Sequence, residues 1–446
     1  MTNHTAASTR WGRFRAALRQ SPPLLWSFLY FFCLLCGYYL LRPVREAMGA
    51  SSDVGALFPP AMIEFFTARG VALKELQLQV LFTCTFLIML VLQPVYGWVV
   101  SRWPRRVFLP AVYGFFIITL LGFYAMFDSG VAGRGMAFFL WITVFNLFAV
   151  AVFWSFMADV WTDAEARSYY GYIGAAGTLG AILGPMLTRA LVERIGIAHL
   201  MLVSAGFLLL CVGCLLPLRR HAVRREAARK LGDGERPMGG SVLAGLQLVA
   251  REPLLRWMAV LCVFGVGVGT LLYNEQAAIV RQFYPDPKAA TAYYAGIDLA
   301  VNVLTLLIQL RVTRSLLSRY GIAPALLIPA FAILLGYAVL AALPVPLLVA
   351  VVQVVTRSSE FSLNKPARET IYTRVAREWR YKAGAAIDTV IYRGGDLTFV
   401  WVHKLLSGFG SAAVFGVGVL VAGAFALGAW RVVGEAKALP QGDRRT

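Results

Sequence analysis

Apolar residues run through this chain in long blocks separated by short polar stretches. Twelve blocks stand out, roughly 24–44, 78–100, 107–127, 135–157, 169–190, 199–217, 254–273, 291–311, 323–343, 345–363, 383–402 and 409–430. A bilayer core of about 30 Å is crossed by a helix of about 20 apolar residues. The pattern therefore predicts an all-α polytopic membrane protein with about twelve transmembrane helices. The first block follows a basic, polar stretch, Ala6 to Arg19, and has full spanning length. It reads as a retained first helix rather than a secretory signal peptide.

The blocks fall into two sets of six. Between them lies a basic segment that starts at Arg219-Arg220-His221 and ends with Gly234-Glu235-Arg236-Pro237. A short amphipathic stretch, Ser241 to Arg251, follows and is expected to lie along the membrane interface. The expected organisation is a cytoplasmic N-terminal segment (1–23), a six-helix bundle (24–217), a cytoplasmic linker with its amphipathic helix (218–252), a second six-helix bundle (253–430) and a cytoplasmic tail (431–446). Glu165-Ala-Arg-Ser-Tyr-Tyr-Gly leads into the fifth block much as Arg377-Glu-Trp-Arg-Tyr-Lys-Ala-Gly leads into the eleventh. Two pseudo-symmetric six-helix bundles of this kind resemble the layout of major facilitator transporters.

Composition narrows the class. With 59% hydrophobic and 15% charged residues and a mean hydropathy of +0.67, the chain is too apolar for a soluble protein. The net charge of +19 would suggest nucleic acid in a soluble chain. Here its distribution points elsewhere. If both termini are cytoplasmic, inward-facing segments hold 29 of the 42 Lys and Arg residues, which is the bias that orients membrane proteins. The expected location is a bacterial inner membrane, crossed many times, with both termini inside. Scattered basic residues without an aromatic groove argue against nucleic acid. The six cysteines, Cys33, Cys36, Cys84, Cys211, Cys214 and Cys262, all fall in the apolar blocks. Two pairs have CxxC spacing, but with no His nearby they read as small packing residues. No metal site and no cofactor is expected.

Ionisable residues inside spans cost roughly 2.5–3.5 kcal/mol each on insertion scales and usually mark a substrate or ion path. Several recur on helical faces here. Asp298, Asn302, Thr305 and Gln309 form one stripe, and Arg357, Glu360 and Asn364 another. A dense charged stretch from Lys365 to Lys382 then feeds a helix with Asp388, Tyr392, Arg393 and Asp396. Three roles stay open for them: structural pairing, as Arg357 with Glu360 or Arg393 with Asp396, substrate contact, and proton coupling. In the first block, Arg42 can reach Glu46 across one turn. Arg42 and Arg45 fit either an interfacial anchor or a cavity mouth, where planar guanidinium forks suit carboxylate or phosphate. Tyr38, Tyr39 and Trp154 offer surface for stacking a ring. The long connection with Phe58-Pro59-Pro60 reads as an outer cap.

Local motifs extend the resemblance. Gly97-Trp-Val-Val-Ser101-Arg102-Trp-Pro-Arg105-Arg106 resembles the cytoplasmic-loop motif of the major facilitator superfamily, with Ser101 at the usual Asp. Gly171, Gly180, Gly184 and Pro185 resemble its antiporter-type helix-five motif, and glycines spaced this way permit close helix contact. Tyr38-Tyr-Leu-Leu-Arg42-Pro-Val-Arg45-Glu46, Phe153-Trp-Ser-Phe and Lys365 to Asp396 together resemble the nucleotide (ATP/ADP, NTP/NDP) transporter family within that superfamily, in its divergent bacterial branch. The resemblance implies exchange of anionic nucleotides, with basic residues near the first helix and the 365–382 loop contacting phosphate. Arg45 stands where the best-known members have Lys, and Arg368-Glu369 where they have Lys-Glu. The acidic residue that they carry in the fourth helix is absent, and Asn146 is the strongly polar residue there.

The expected function is thus secondary active transport by alternating access, most specifically nucleotide exchange. The substrate contacts are expected at Arg42, Arg45, Asn146, Arg357, Glu360, Arg368, Asp388, Tyr392 and Arg393. Coupling or gating is expected at Asp298, Asn302, Glu369, Asp396, Arg102 and Arg105. The expected partners are a small anionic substrate, with a nucleotide as one candidate, and the lipid bilayer, not nucleic acid; the sequence leaves the oligomeric state open and is compatible with a monomer. The alternatives are a proton-coupled carrier or exporter of another small organic anion, and a non-transporting membrane scaffold or sensor. An enzyme is not expected, because GxxxxGK[ST] and HExxH are both missing from the sequence.

Overall fold

A computed structural model describes residues 22–102, 105–161, 163–229, 242–372, 375 and 383–438. Among these the regular structure is helical throughout. In chain order the elements are α1 (Pro22–Gly49), the short α2 (Val54–Leu57) and α3 (Pro60–Thr67), α4 (Gln77–Arg102), α5 (Arg105–Asp128), α6 (Arg134–Val160) and α7 (Asp163–Arg229). After the linker come α8 (Val242–Arg251), α9 (Pro253–Phe283), α10 (Pro287–Ile308), α11 (Arg314–Tyr320), α12 (Ile322–Ala342), α13 (Pro346–Ser359), α14 (Lys365–Tyr372), α15 (Gly384–Ala386), α16 (Tyr392–Ser407) and α17 (Ser411–Lys437). Eight helical stretches among the described residues are long and apolar enough to cross a membrane. One of them, Tyr172–His221, doubles back at Gly196, whose φ of 78° is open to glycine at little cost. The chain is an all-α multi-pass membrane protein.

Two helix ends differ from the hydropathy pattern, and the difference matters. Instead of stopping near 44, α1 continues to Gly49, and α9 runs past 273 to Phe283. Hydropathy falls at both points because charged residues enter, yet the backbone stays helical because those residues are buried and paired within the protein.

The chain groups into two compact units. The first gathers residues 1–71, 87–235 and 286–299, and the second gathers 72–86, 236–285 and 300–446. The first unit is built on aromatic packing: Phe31 stacks on Phe153 at 4.3 Å, and the Tyr30 hydroxyl hydrogen-bonds that of Tyr113 at 2.6 Å. In the second, Tyr337 donates to the Val268 carbonyl and meets Phe415 edge-on at 6.1 Å. All six cysteines are free thiols, and Cys211 donates to the Tyr30 carbonyl at 3.5 Å.

Glycines decide how α1 meets α7. A Cβ on Gly180 would stand 2.4 Å from the Phe32 carbonyl oxygen, and one on Gly184 would stand 2.8 Å from the Leu40 nitrogen. The two backbones therefore touch, and side chains lock them: Thr188 donates to the Leu40 carbonyl at 2.6 Å and Ser204 to that of Gly37 at 3.0 Å. This contact fixes the C-terminal turns of α1, where Arg42 and Arg45 sit. Gly180→Ala should lower the unfolding temperature in detergent, with a cost of about 1–3 kcal/mol for an over-packed contact. Gly174→Ala, where the added methyl meets nothing within 4 Å, should leave it unchanged. Equal midpoints for the two variants would contradict this packing.

Candidate transport site

In the first unit the last two turns of α1 meet the first turns of α10. Arg42 lies 3.5 Å from Glu46 on its own helix and 3.7 Å from Asp298 of α10. Arg45 adds a contact to Glu46 at 3.9 Å. The carboxylates are almost fully enclosed, with Asp298 2% and Glu46 6% exposed, and the guanidiniums are 17% exposed. Arg42 and Arg45 are therefore held largely inside the protein. Two guanidiniums thus face two carboxylates. Arg42 also lies 5.7 Å over the Tyr39 ring, and Arg45 lies 4.5 Å over Phe139 of α6. Such cation–π contacts favour a desolvated arginine. Tyr38 packs on Phe145, the neighbour of half-buried Asn146. Trp154 is enclosed by Phe31, Phe153 and Tyr170.

The second unit holds the other polar positions. Glu360 accepts from Asn364 at 3.0 Å and from Arg368 at 3.2 Å. Arg368 turns inward beside it while Glu369 is exposed. Arg357 is half-buried one turn earlier on α13, and Asn302 and Thr305 are buried on α10. Arg393 pairs with Asp396 at 3.9 Å, and Thr270 of α9 donates to Asp396 at 2.6 Å. Tyr392 is largely exposed, with Arg393 5.8 Å over its ring. The side chains of Asp388, Arg102 and Arg105 lie outside the described residues.

The regular helical stripes expected from spacing are interrupted. Gln309–Thr313, Glu360–Asn364 and Ile387–Ile391 are π-helical. A π turn closes i→i+5 hydrogen bonds and shifts every later residue around the helix. Glu360 and Asn364 nevertheless stay side by side, joined by the 3.0 Å hydrogen bond between their side chains. The displaced carbonyls find donors: Gln309 reaches that of Phe361 at 3.1 Å and Thr313 that of Ser362 at 2.8 Å.

One cluster escaped the sequence reading. Asn274, Glu275 and Gln276 are buried on α9, and Glu275 meets buried His403 of α16 at 2.9 Å. The signal was a polar triplet directly after an apolar run. The expected span of 254–273 ends just before it.

The sequence model of the Major Facilitator Superfamily matches residues 47–395. The chain belongs to the Major Facilitator Superfamily. Relatives of this superfamily member include the ADP,ATP carrier protein 1 of Chlamydia trachomatis, 21% identical over 82% of this chain and 79% of the relative. The chloroplastic ADP,ATP carrier protein 1 of Arabidopsis thaliana is 21% identical over 86% of this chain and 68% of its own. Solved structures share the fold at lower identity. A variant of the nucleoside transporter NupG aligns with a TM-score of 0.61 at 14% identity, over 92% of this chain and 99% of its own. A POT family transporter in complex with 5-aminolevulinic acid aligns with a TM-score of 0.61 at 11% identity, over 93% and 96%. A major facilitator fold around paired, buried charges is the architecture of a secondary transporter.

Breaking a fully buried pair from one side costs about 3–5 kcal/mol because an uncompensated charge remains. The partial exposure of Arg42 puts this cluster below that range. Arg42→Gln should destabilise the protein more than Arg42→Gln combined with Asp298→Asn, since the double variant removes one stranded carboxylate. A double-mutant cycle on unfolding in detergent reads the coupling, and strict additivity would contradict the ion pair.

Proposed function

We propose that this superfamily member exchanges anionic nucleotides across a bacterial inner membrane by alternating access. The observation that carries the reading is the enclosed cluster of Arg42, Arg45, Glu46 and Asp298. Arginine forks bind phosphate oxygens in pairs, and a desolvated guanidinium always requires an anion. Without substrate, Glu46 and Asp298 supply that anion and tie α10 to α1. An entering phosphate chain competes for the same forks and releases the carboxylates. Movement is then fast only when the site is loaded, which is the condition for exchange rather than leak. The likeness to ADP,ATP carrier proteins supports a nucleotide as the anion.

In this reading the chain forms two six-helix bundles, 24–217 and 253–430, with both termini and the 218–252 linker in the cytoplasm. Asn146, Arg357, Glu360, Arg368, Asp388, Tyr392 and Arg393 line the substrate path. Asp298, Asn302, Glu369 and Asp396 couple binding to movement, and Arg102 and Arg105 hold the cytoplasmic face. The Tyr39 and Phe139 rings steady the arginines and leave the base to other surfaces.

Purified protein in liposomes preloaded with unlabelled ADP should take up labelled ADP or ATP, and empty liposomes should not. Arg42→Gln should abolish the uptake, and Arg42→Lys should lower it by about tenfold, the loss of one charge-assisted hydrogen bond of roughly 1.5 kcal/mol. Protein that binds neither nucleotide and gives no counter-exchange would refute nucleotide transport. Uptake into empty liposomes driven by a pH gradient would support a proton-coupled carrier instead.

A further inference from the structure

The Glu275–His403 pair lies outside the arginine cluster and has no part in the exchange reading. Glu275 is buried in the apolar helix α9 and His403 in α16, and imidazole is the side-chain type suited to taking up and releasing a proton. Around it, α4 begins inside the second unit. Residues 72–86 are fixed there by Lys404 to Glu75 at 3.0 Å, Arg281 to the Gln77 side chain at 2.5 Å and to the Lys74 carbonyl at 3.3 Å, and Gln79 to the Val400 carbonyl at 3.2 Å. Lys404 directly follows His403 in sequence, and Arg281 follows Glu275 on α9. Arg281 is close enough to act electrostatically on the Glu275 carboxylate, so the pair is linked to the residues that hold this segment.

We propose that Glu275 and His403 form a proton-binding site whose occupancy controls the docking of residues 72–86 on the second unit. The charges explain the direction. Glu275, Arg281, Glu75 and Lys404 cancel while His403 is neutral. Lys74 is exposed and solvated. The other groups facing the pair are neutral: the Ser411 hydroxyl of α17, hydrogen-bonded to Glu275, and the Tyr337 phenol of α12. The outer Lys404–Glu75 pair is partly open to water, with Glu75 69% exposed, so a proton on buried His403 adds a positive charge beside Lys404 and Arg281 that this screened pair does not offset, and undocking lets water solvate it. Acidification loosens the segment, and a proton enters as it leaves. The inference rests on the transport reading only where undocking is taken to open a path, and its test needs no nucleotide.

Val80 is buried in the docked segment, and Val80→Cys, with partly buried Cys84 replaced by Ser, reports undocking through its reaction with an impermeant maleimide. Rates are divided by those of the unfolded protein at each pH, which removes the ionisation of the thiol itself. The normalised rate should rise about tenfold from about pH 8 to about pH 5.5. With Glu275→Gln it should be fast at both pH values, because the cluster then always carries excess positive charge. With His403→Asn it should be slow at both. A pH-independent rate in the parent would overturn the proposal. So would fast labelling of His403→Asn at both pH values, which would make the pair a structural tie.

Discussion

Arg42 must have an anion beside it, and much of this structure follows from that requirement. The guanidinium does not lose its charge, so enclosing it between helices is tolerable only with carboxylates, or a substrate, within a few ångströms. Glu46 supplies one carboxylate from the same helix and Asp298 another from α10. Their placement depends on the backbone contact of α1 with α7. Gly180 and Gly184 let the helices touch, and Thr188 and Ser204 keep them from sliding. Glycine packing and ion pairing are thus two parts of one device.

Each unit takes in a short piece of the other half of the sequence. Residues 286–299 join the first, where Asp298 meets Arg42, and residues 72–86 join the second, where Glu75 meets Lys404 and Gln77 meets Arg281. Both pieces open a long helix, α10 and α4, and both are held by polar contacts rather than by apolar packing alone. In transport terms this is useful. Polar contacts between helices can be exchanged for water or substrate, whereas a dry apolar seam reseals by itself.

Much of the fold was legible in the sequence. Blocks of spanning length and the glycine spacing before Pro185 each depend on a local rule that tertiary structure did not overrule. The Arg42–Glu46 contact was legible too, because residues four apart meet on any helix. The partner Asp298 was not, since nothing in the spacing says which helix lies opposite. Hydropathy also ended α1 and α9 too early: it measures preference for lipid, and Arg45, Glu46, Asn274, Glu275 and Gln276 are buried in protein instead. The π turns at Glu360 and Ile387 were beyond reach for a different reason. The carbonyls of the Glu360 turn are met by Gln309 and Thr313, which arrive from another element.

Competition between substrate and carboxylate for Arg42 is the centre of the transport account. Equilibrium binding of labelled ADP to purified protein and to Asp298→Asn tests it without any transport step. Removal of the competing carboxylate should tighten binding while the protein remains folded. Weaker or unchanged ADP binding by Asp298→Asn would contradict the account.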